Sequence, residues 1–278
     1  MKYTYEEIAK TIDHSLLHPT MTDQDLESGC RLAARYGVAS VCIKPYFVKQ
    51  AVVLLEGSGV KVGAVIGFPH GSNTTEVKRY ETELACRDGA TEIDMVINLG
   101  KALSGDWDYV ESDIRAVCLE AHRHQALVKV IFENDFLPND DLKIKLCQVS
   151  ECAGADWVKT STGYGFVKGA DGKYGYQGAT AHDLALMRAH VSARVQVKAA
   201  GGVRDLDALI QVRDLGASRC GATATATMLE DYKKRAATPS GAADKPTTPG
   251  LRRLLNGRWG RALLQGLRIY DFRSQISD

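Results

Sequence analysis

Three apolar, β-branched stretches each carry one ionisable side chain where a buried strand would ordinarily have none. Val158-Lys159-Thr160-Ser161-Thr162-Gly163 holds a lysine, Glu92-Ile93-Asp94-Met95-Val96-Ile97-Asn98 a carboxylate, and Val195-Gln196-Val197-Lys198-Ala199-Ala200-Gly201-Gly202 a second lysine. A charge in a strand covered on both faces is costly to desolvate unless something pairs with it or uses it. A lysine attacks a carbonyl only as the neutral amine, and burial and a second ammonium nearby both favour that form. Lys159 is therefore the candidate nucleophile, Lys198 the ammonium beside it, and Asp94 the proton shuttle for making or breaking a bond alpha to a Schiff base. Strand alternation sets Lys159 with Ser161, Asp94 with Glu92 and Val96, and Lys198 with Gln196 and Ala200. If these faces share one interior, the two amines and the carboxylate converge.

Other residues read less one-sidedly. Lys198 and Asp94 also read as a plain ion pair, and Lys129 either supports the chemistry or balances Asp94 or Glu133. Cys42 reads as a core thiol sooner than a nucleophile, since no histidine is assigned to activate it. Asp13 and His14 line a cavity floor or simply pack and hydrogen-bond. Gly201-Gly202-Val203 and Gly221-Ala222-Thr223 precede helical patterns, so they offer backbone N–H groups and hydroxyls at helix starts for a phosphate. Ser161, Thr162 and Gly163 add further donors.

Helices and strands must alternate to position these groups, and the sequence does alternate. Strands are expected at Thr11–Ser15, 38–44, 60–68, 92–98, 127–133, 156–162, 195–201 and 218–223. Helices are expected at 22–35, 48–56, 75–88, 108–123, 139–152, 181–190, 205–215 and 224–235. Thr22 reads as a helix N-cap with Asp25 at the third position, and Gly37 as the stop. Eight βα units with no antiparallel edge and no early G-x-G-x-x-G predict a closed (β/α)8 barrel over residues 1–235, with its chemistry at the C-terminal ends of the strands. The Gly/Tyr-rich stretch 166–178 falls outside the repeat and reads as a lid. Residues 236–250 have linker composition, and 251–278 alternates apolar residues with Arg, a pattern suited to docking on the barrel or a neighbouring subunit.

Bulk composition excludes several classes. The chain has 278 residues, and its 35 basic and 34 acidic residues nearly cancel, which gives no case for a nucleic-acid binder. No apolar run is long enough to span a membrane. Seven cysteines without a C-x-x-C pair predict reduced thiols in a cytoplasmic compartment.

Taken together, Ile12-Asp13-His14-Ser15-Leu16-Leu17, Val41-Cys42-Ile43-Lys44-Pro45 and the three stretches above, extended through Val203-Arg204, resemble the deoxyribose-phosphate aldolases over roughly residues 8–235. The resemblance implies a class I aldolase on a (β/α)8 barrel, acting without metal or organic cofactor on a sugar phosphate and acetaldehyde. It puts the Schiff-base lysine at Lys159, the second lysine at Lys198 and the relay aspartate at Asp94. It also implies a dimer or tetramer of identical chains, and a C-terminal tyrosine, here Tyr270, is a candidate to reach the site. Lys44, Asn134 and Gly221-Ala222-Thr223 depart from the usual pattern at positions that bear on substrate fit. A non-catalytic sugar-phosphate sensor on the same barrel is the rival reading, and the intact Lys159, Lys198 and Asp94 argue against it.

Overall fold

The computed structural model describes residues 1–169 and 171–237. Strands β1 (Ile12–Leu16), β2 (Ser40–Ile43), β3 (Lys61–Ile66), β4 (Glu92–Val96), β5 (Leu127–Ile131) and β6 (Trp157–Lys159) pair in parallel in chain order. β7 (Val167–Lys168) and β8 (Tyr174–Gly175) form a small antiparallel hairpin apart from the sheet. β9 (Gln196–Ala200) then joins β6, and β10 (Ala217–Ala222) joins β9 and closes the barrel onto β1. The strands are joined by α1 (Tyr5–Ala9) ahead of β1, then α2 (Asp23–Tyr36), α3 (Val48–Leu54), α4 (Thr75–Arg87), α5 (Leu99–Leu103), α6 (Trp107–Arg123), α7 (Asp140–Ala153), α8 (Ala181–Ala189), α9 (Leu206–Asp214) and α10 (Thr225–Ala237).

Local chemistry fixes the boundaries. Thr22 accepts from the backbone N–H of Asp25 while Asp25 reaches back to Thr22, and Gly37 closes α2 at φ +63°. Asn139, Thr180 and Asp205 cap α7, α8 and α9 in the same way, each accepting from the N–H three residues on. Several strands stop earlier than their apolar runs suggest. Asn98 leaves β4 to cap α5, its carboxamide accepting from Lys101 N; this five-residue helix has too little periodicity to be foreseen. Thr160 leaves the β6 ladder because its hydroxyl takes over the pairing with β9, donating to Ala200 O at 2.9 Å and accepting from Ala200 N at 3.0 Å. At the other end, α10 runs through Ala237, two residues into the stretch read as linker. The rest of that linker, the 251–278 segment and Tyr270 lie outside the described residues.

Alternation sorts the strand side chains into two environments. Val41, Ile43, Ile66, Ile93, Met95, Val128, Val130, Val158 and Val197 face outward into one continuous apolar layer against the helices. The opposite parity faces the barrel axis, where Cys42 and Val65 form a small apolar cluster with Leu17. The other inward positions are largely ionic.

A second buried ion pair braces the barrel from outside. Lys78 of α4 is fully buried and donates to Asp113 of α6 at 2.6 Å and to the Val96 carbonyl, at the end of β4, at 2.9 Å. Thr75 adds a hydrogen bond to the same carboxylate at 2.9 Å. The pair thus anchors α4 and α6 to the strand that carries Asp94. Lys78→Met leaves Asp113 buried without its cation and should cost about 3–5 kcal/mol in urea unfolding, whereas the double change Lys78→Met, Asp113→Leu should recover most of that loss. A single variant as stable as wild type would refute the brace.

His14 of β1 meets the Thr225 hydroxyl at the start of α10 at 2.9 Å, and burial holds its pKa down at about 4, against 6.5 when exposed. The unfolded chain therefore takes up this proton at a higher pH than the folded one. Stability from a neutral His14 is complete above pH 6.5 and drains away as pH falls toward 4, by on the order of 3 kcal/mol. His14→Gln should flatten that part of a stability-against-pH curve measured by chemical denaturation.

Candidate active site

Lys159 and Lys198 are direct neighbours in the register of β6 and β9, and Asp94 and Lys129 are direct neighbours on β4 and β5. All four point to the barrel axis and meet there. Lys159 Nζ and Lys198 Nζ both lie 2.7 Å from the same oxygen, Asp94 Oδ2. Lys129 Nζ donates to Asp94 Oδ1 at 2.9 Å and to Glu92 at 2.6 Å. Lys198 Nζ is 2.6 Å from Asp13, whose carboxylate also receives Arg219, and Arg219 reaches Glu92 at 2.7 Å. The Trp157 ring underlies the cluster, with Lys129 Nζ 5.9 Å and Arg219 5.6 Å from its centroid.

Burial and charge oppose each other here, and charge wins at the carboxylates. Burial by itself would raise the Asp94 pKa, yet Lys129, Lys159 and Lys198 together hold it well below the usual carboxylate range. Burial would likewise neutralise Lys198, but Asp13 and Asp94 keep its pKa well above that of a free lysine. Lys198 is thus a fixed cation next to the candidate nucleophile. Three carboxylates (Asp13, Glu92 and Asp94) face four cationic side chains (Lys129, Lys159, Lys198 and Arg219). Lys159 is the one lysine of this set that reaches the cavity.

That cavity, about 480 Å³, opens above Lys159 at the C-terminal ends of the strands. Thr162, Gly163, Gly201, Gly202, Gly221 and Thr223 all line it, as do Arg204, Tyr164 and Tyr176. Gly201 and Gly202 sit at φ +90° and +85°, which side-chain-bearing residues rarely adopt.

The remaining expectations come out differently. Ser161 is wholly buried and its hydroxyl has no hydrogen-bond partner among the described residues, but it is not part of the cavity wall. Asp13, Cys42 and Lys129, expected to line the cavity, are buried and are not in its wall. His14 is in the wall. Cys42 Sγ lies 3.7 Å from Asp94 Oδ2, and burial together with that carboxylate pushes its thiol up to about 11. It is a packed thiol and not a thiolate. The 166–178 stretch, read as a lid, carries the β7–β8 hairpin and places Tyr176 in the wall.

Sequence reasoning missed Arg219 and the structural part of Glu133. A register shift between Ala217 and Arg219 in β10 breaks simple alternation and turns Arg219 inward. Glu133 holds a left-handed backbone at φ +56° and accepts from the Thr162 N–H at 3.1 Å and from its hydroxyl, so it fixes the cavity-lining turn after β6. Pairing on a neighbouring strand leaves no mark in the spacing that would have identified it.

The geometry agrees with what the chain is similar to. Curated relatives named deoxyribose-phosphate aldolase include one from Rhodopirellula baltica, 51% identical over 86% of this chain and 94% of the relative. Another, from Clostridium perfringens, is 45% identical over 81% of this chain and 95% of the relative. Among solved structures, a deoxyribose phosphate aldolase from Aeropyrum pernix, described as tetrameric, superposes with a TM-score of 0.74 at 31% identity, covering 84% of this chain and 93% of that one. The sequence profile of the DeoC/LacD family aldolases matches residues 8–234, and with this barrel the chain belongs to that family.

Proposed function

We propose that this chain is a class I aldolase that reversibly cleaves 2-deoxy-D-ribose 5-phosphate to acetaldehyde and D-glyceraldehyde 3-phosphate through a Schiff base on Lys159. The observation that carries the reading is the shared Asp94 oxygen, which holds two lysines side by side beneath a cavity walled by glycine turns. Lys159 Nζ attacks the C1 carbonyl of the open-chain sugar, and loss of water leaves a protonated imine. The C3 hydroxyl gives up its proton to the Asp94–Lys198 pair. The C2–C3 bond breaks, its electrons move into the imine, and D-glyceraldehyde 3-phosphate leaves with C3 as its aldehyde. The enamine takes a proton at C2, and water hydrolyses the imine to release acetaldehyde and regenerate the amine. Lys198, held as a cation by Asp13 and Asp94, stands beside the imine nitrogen's position as the proton donor of the pair.

Phosphate recognition falls to the N–H groups of Gly201 and Gly202, to Gly163, Gly221 and Thr223, and to Arg204, which has no carboxylate partner among the described residues. A non-catalytic sensor would have no use for an amine at the cavity wall balanced by a buried ionic set. Assembly of identical chains is supported by exposed Val53, Val77, Tyr80, Leu84 and Leu119 on helices α3, α4 and α6. A cytoplasmic setting is supported by seven free cysteines, six of them buried.

Borohydride reduction in the presence of acetaldehyde should add a two-carbon unit to wild-type protein and none to Lys159→Ala, read by intact mass, and the same variant should lose activity by about 10³-fold or more. Wild-type protein that cleaves 2-deoxyribose 5-phosphate without forming an adduct would overturn the imine. Lys198→Leu removes the cation that shares the Asp94 oxygen, so turnover of 2-deoxyribose 5-phosphate should fall by about 10²-fold or more. Wild-type turnover in this variant would remove Lys198 from the mechanism.

A further inference from the structure

The β7–β8 hairpin is built so that one side chain enters the cavity. Its return leg is tied to neighbouring loops by backbone hydrogen bonds. Gln177 N and Gly178 N both donate to the Asp135 carboxylate, the latter at 3.0 Å, and Ala179 N donates to Gly201 O at 3.0 Å. Gly178 is pressed so closely on the Gly201 backbone that a Cβ there would lie 2.6 Å from the Gly201 carbonyl carbon. These ties set Tyr176, one residue earlier, over the Gly201–Gly202 turn, its ring 3.4 Å from where a Gly201 Cβ would be. Phe166, on the outgoing leg, packs edge-on against the Tyr176 ring at 5.3 Å between centroids and fixes its orientation.

The Tyr176 hydroxyl has no hydrogen-bond partner among the described residues, and Tyr176 borders the cavity. It shares that wall with Gly201, Gly202 and Arg204, the groups with the donors and charge an anion needs. A phenol held rigidly at one end of such a cradle offers an O–H to a phosphate oxygen at little entropic cost, and a hydrogen bond to a charged group is worth more than one to a neutral hydroxyl.

We propose that Tyr176 is a specificity-determining residue that donates to the terminal phosphate and selects phosphorylated substrates over the same sugars without phosphate. The inference rests on the aldolase reading above and adds to it a residue supplied by the hairpin. Selection acts on binding, because Tyr176 stands with the phosphate cradle and, among the described residues, makes no hydrogen bond to Lys159, Lys198 or Asp94.

The test compares wild-type protein with Tyr176→Phe, which keeps the ring and its packing on Phe166, in cleavage of 2-deoxyribose 5-phosphate and of 2-deoxyribose. Borohydride trapping of acetaldehyde monitors the lysine in both proteins. Tyr176→Phe should raise KM for the phosphorylated sugar by roughly tenfold, leave its kcat within about twofold, leave the unphosphorylated sugar unaffected and trap acetaldehyde normally. Wild-type cleavage with an unchanged preference in Tyr176→Phe overturns this inference alone. Equal losses on both sugars would also overturn it, because they would make Tyr176 a structural support. Wild-type protein that traps acetaldehyde but cleaves neither sugar would bring down the aldolase reading, and this inference with it.

Discussion

Asp94 Oδ2 accepts from two lysines at 2.7 Å, and the barrel is arranged around the cost of keeping that contact away from water. An isolated ion pair at this depth would scarcely repay its desolvation. The pair is stable because it is the top of a larger set in which each carboxylate oxygen has a cationic neighbour and each cation at least one carboxylate. Asp13 and Glu92 hold Lys198, Lys129 and Arg219 from below, and Trp157 presents its ring to two of those cations. Function and stability therefore draw on the same groups, and Lys159 is the one member that also touches the cavity.

This ionic set occupies only part of the barrel. β4, β5, β6, β9, β10 and β1 contribute its members, whereas β2 and β3 contribute Cys42 and Val65 to an apolar cluster. The asymmetry has a physical consequence. The low-dielectric side strengthens the fields of the charged side and excludes water from the shared carboxylate, while the open end above Lys159 leaves a path for a carbonyl compound. The Lys78–Asp113 pair behind β4 adds rigidity where displacement of Asp94 would be most damaging.

The C-terminal rim is built by different means. Turns there are held by side chains that leave the regular ladders: Glu133 fixes Thr162, Thr160 substitutes for a backbone partner of Ala200, and Asp135 fastens the hairpin. Such contacts give precise placement to short, irregular segments that have little packing of their own. They explain how a rim rich in glycine still presents a defined cavity.

Much of this was legible in the chain. Helical patterns alternating with apolar strands gave the barrel, because those signals are local: Thr22 with Asp25, and Gly37, each act within a few residues of themselves. Lys159, Lys198 and Asp94 stood out because a buried charge is anomalous in an apolar run, whatever surrounds it, and the resemblance to deoxyribose-phosphate aldolases rested on the same residues. Tertiary structure decided the rest. It kept Asp13, Cys42 and Lys129 out of the cavity wall, buried Ser161, turned Arg219 inward through a register shift, and brought Tyr176 over Gly201. Depth along a barrel axis, strand stagger and loop anchoring depend on partners far away in sequence, and residue type and spacing alone carry no record of them.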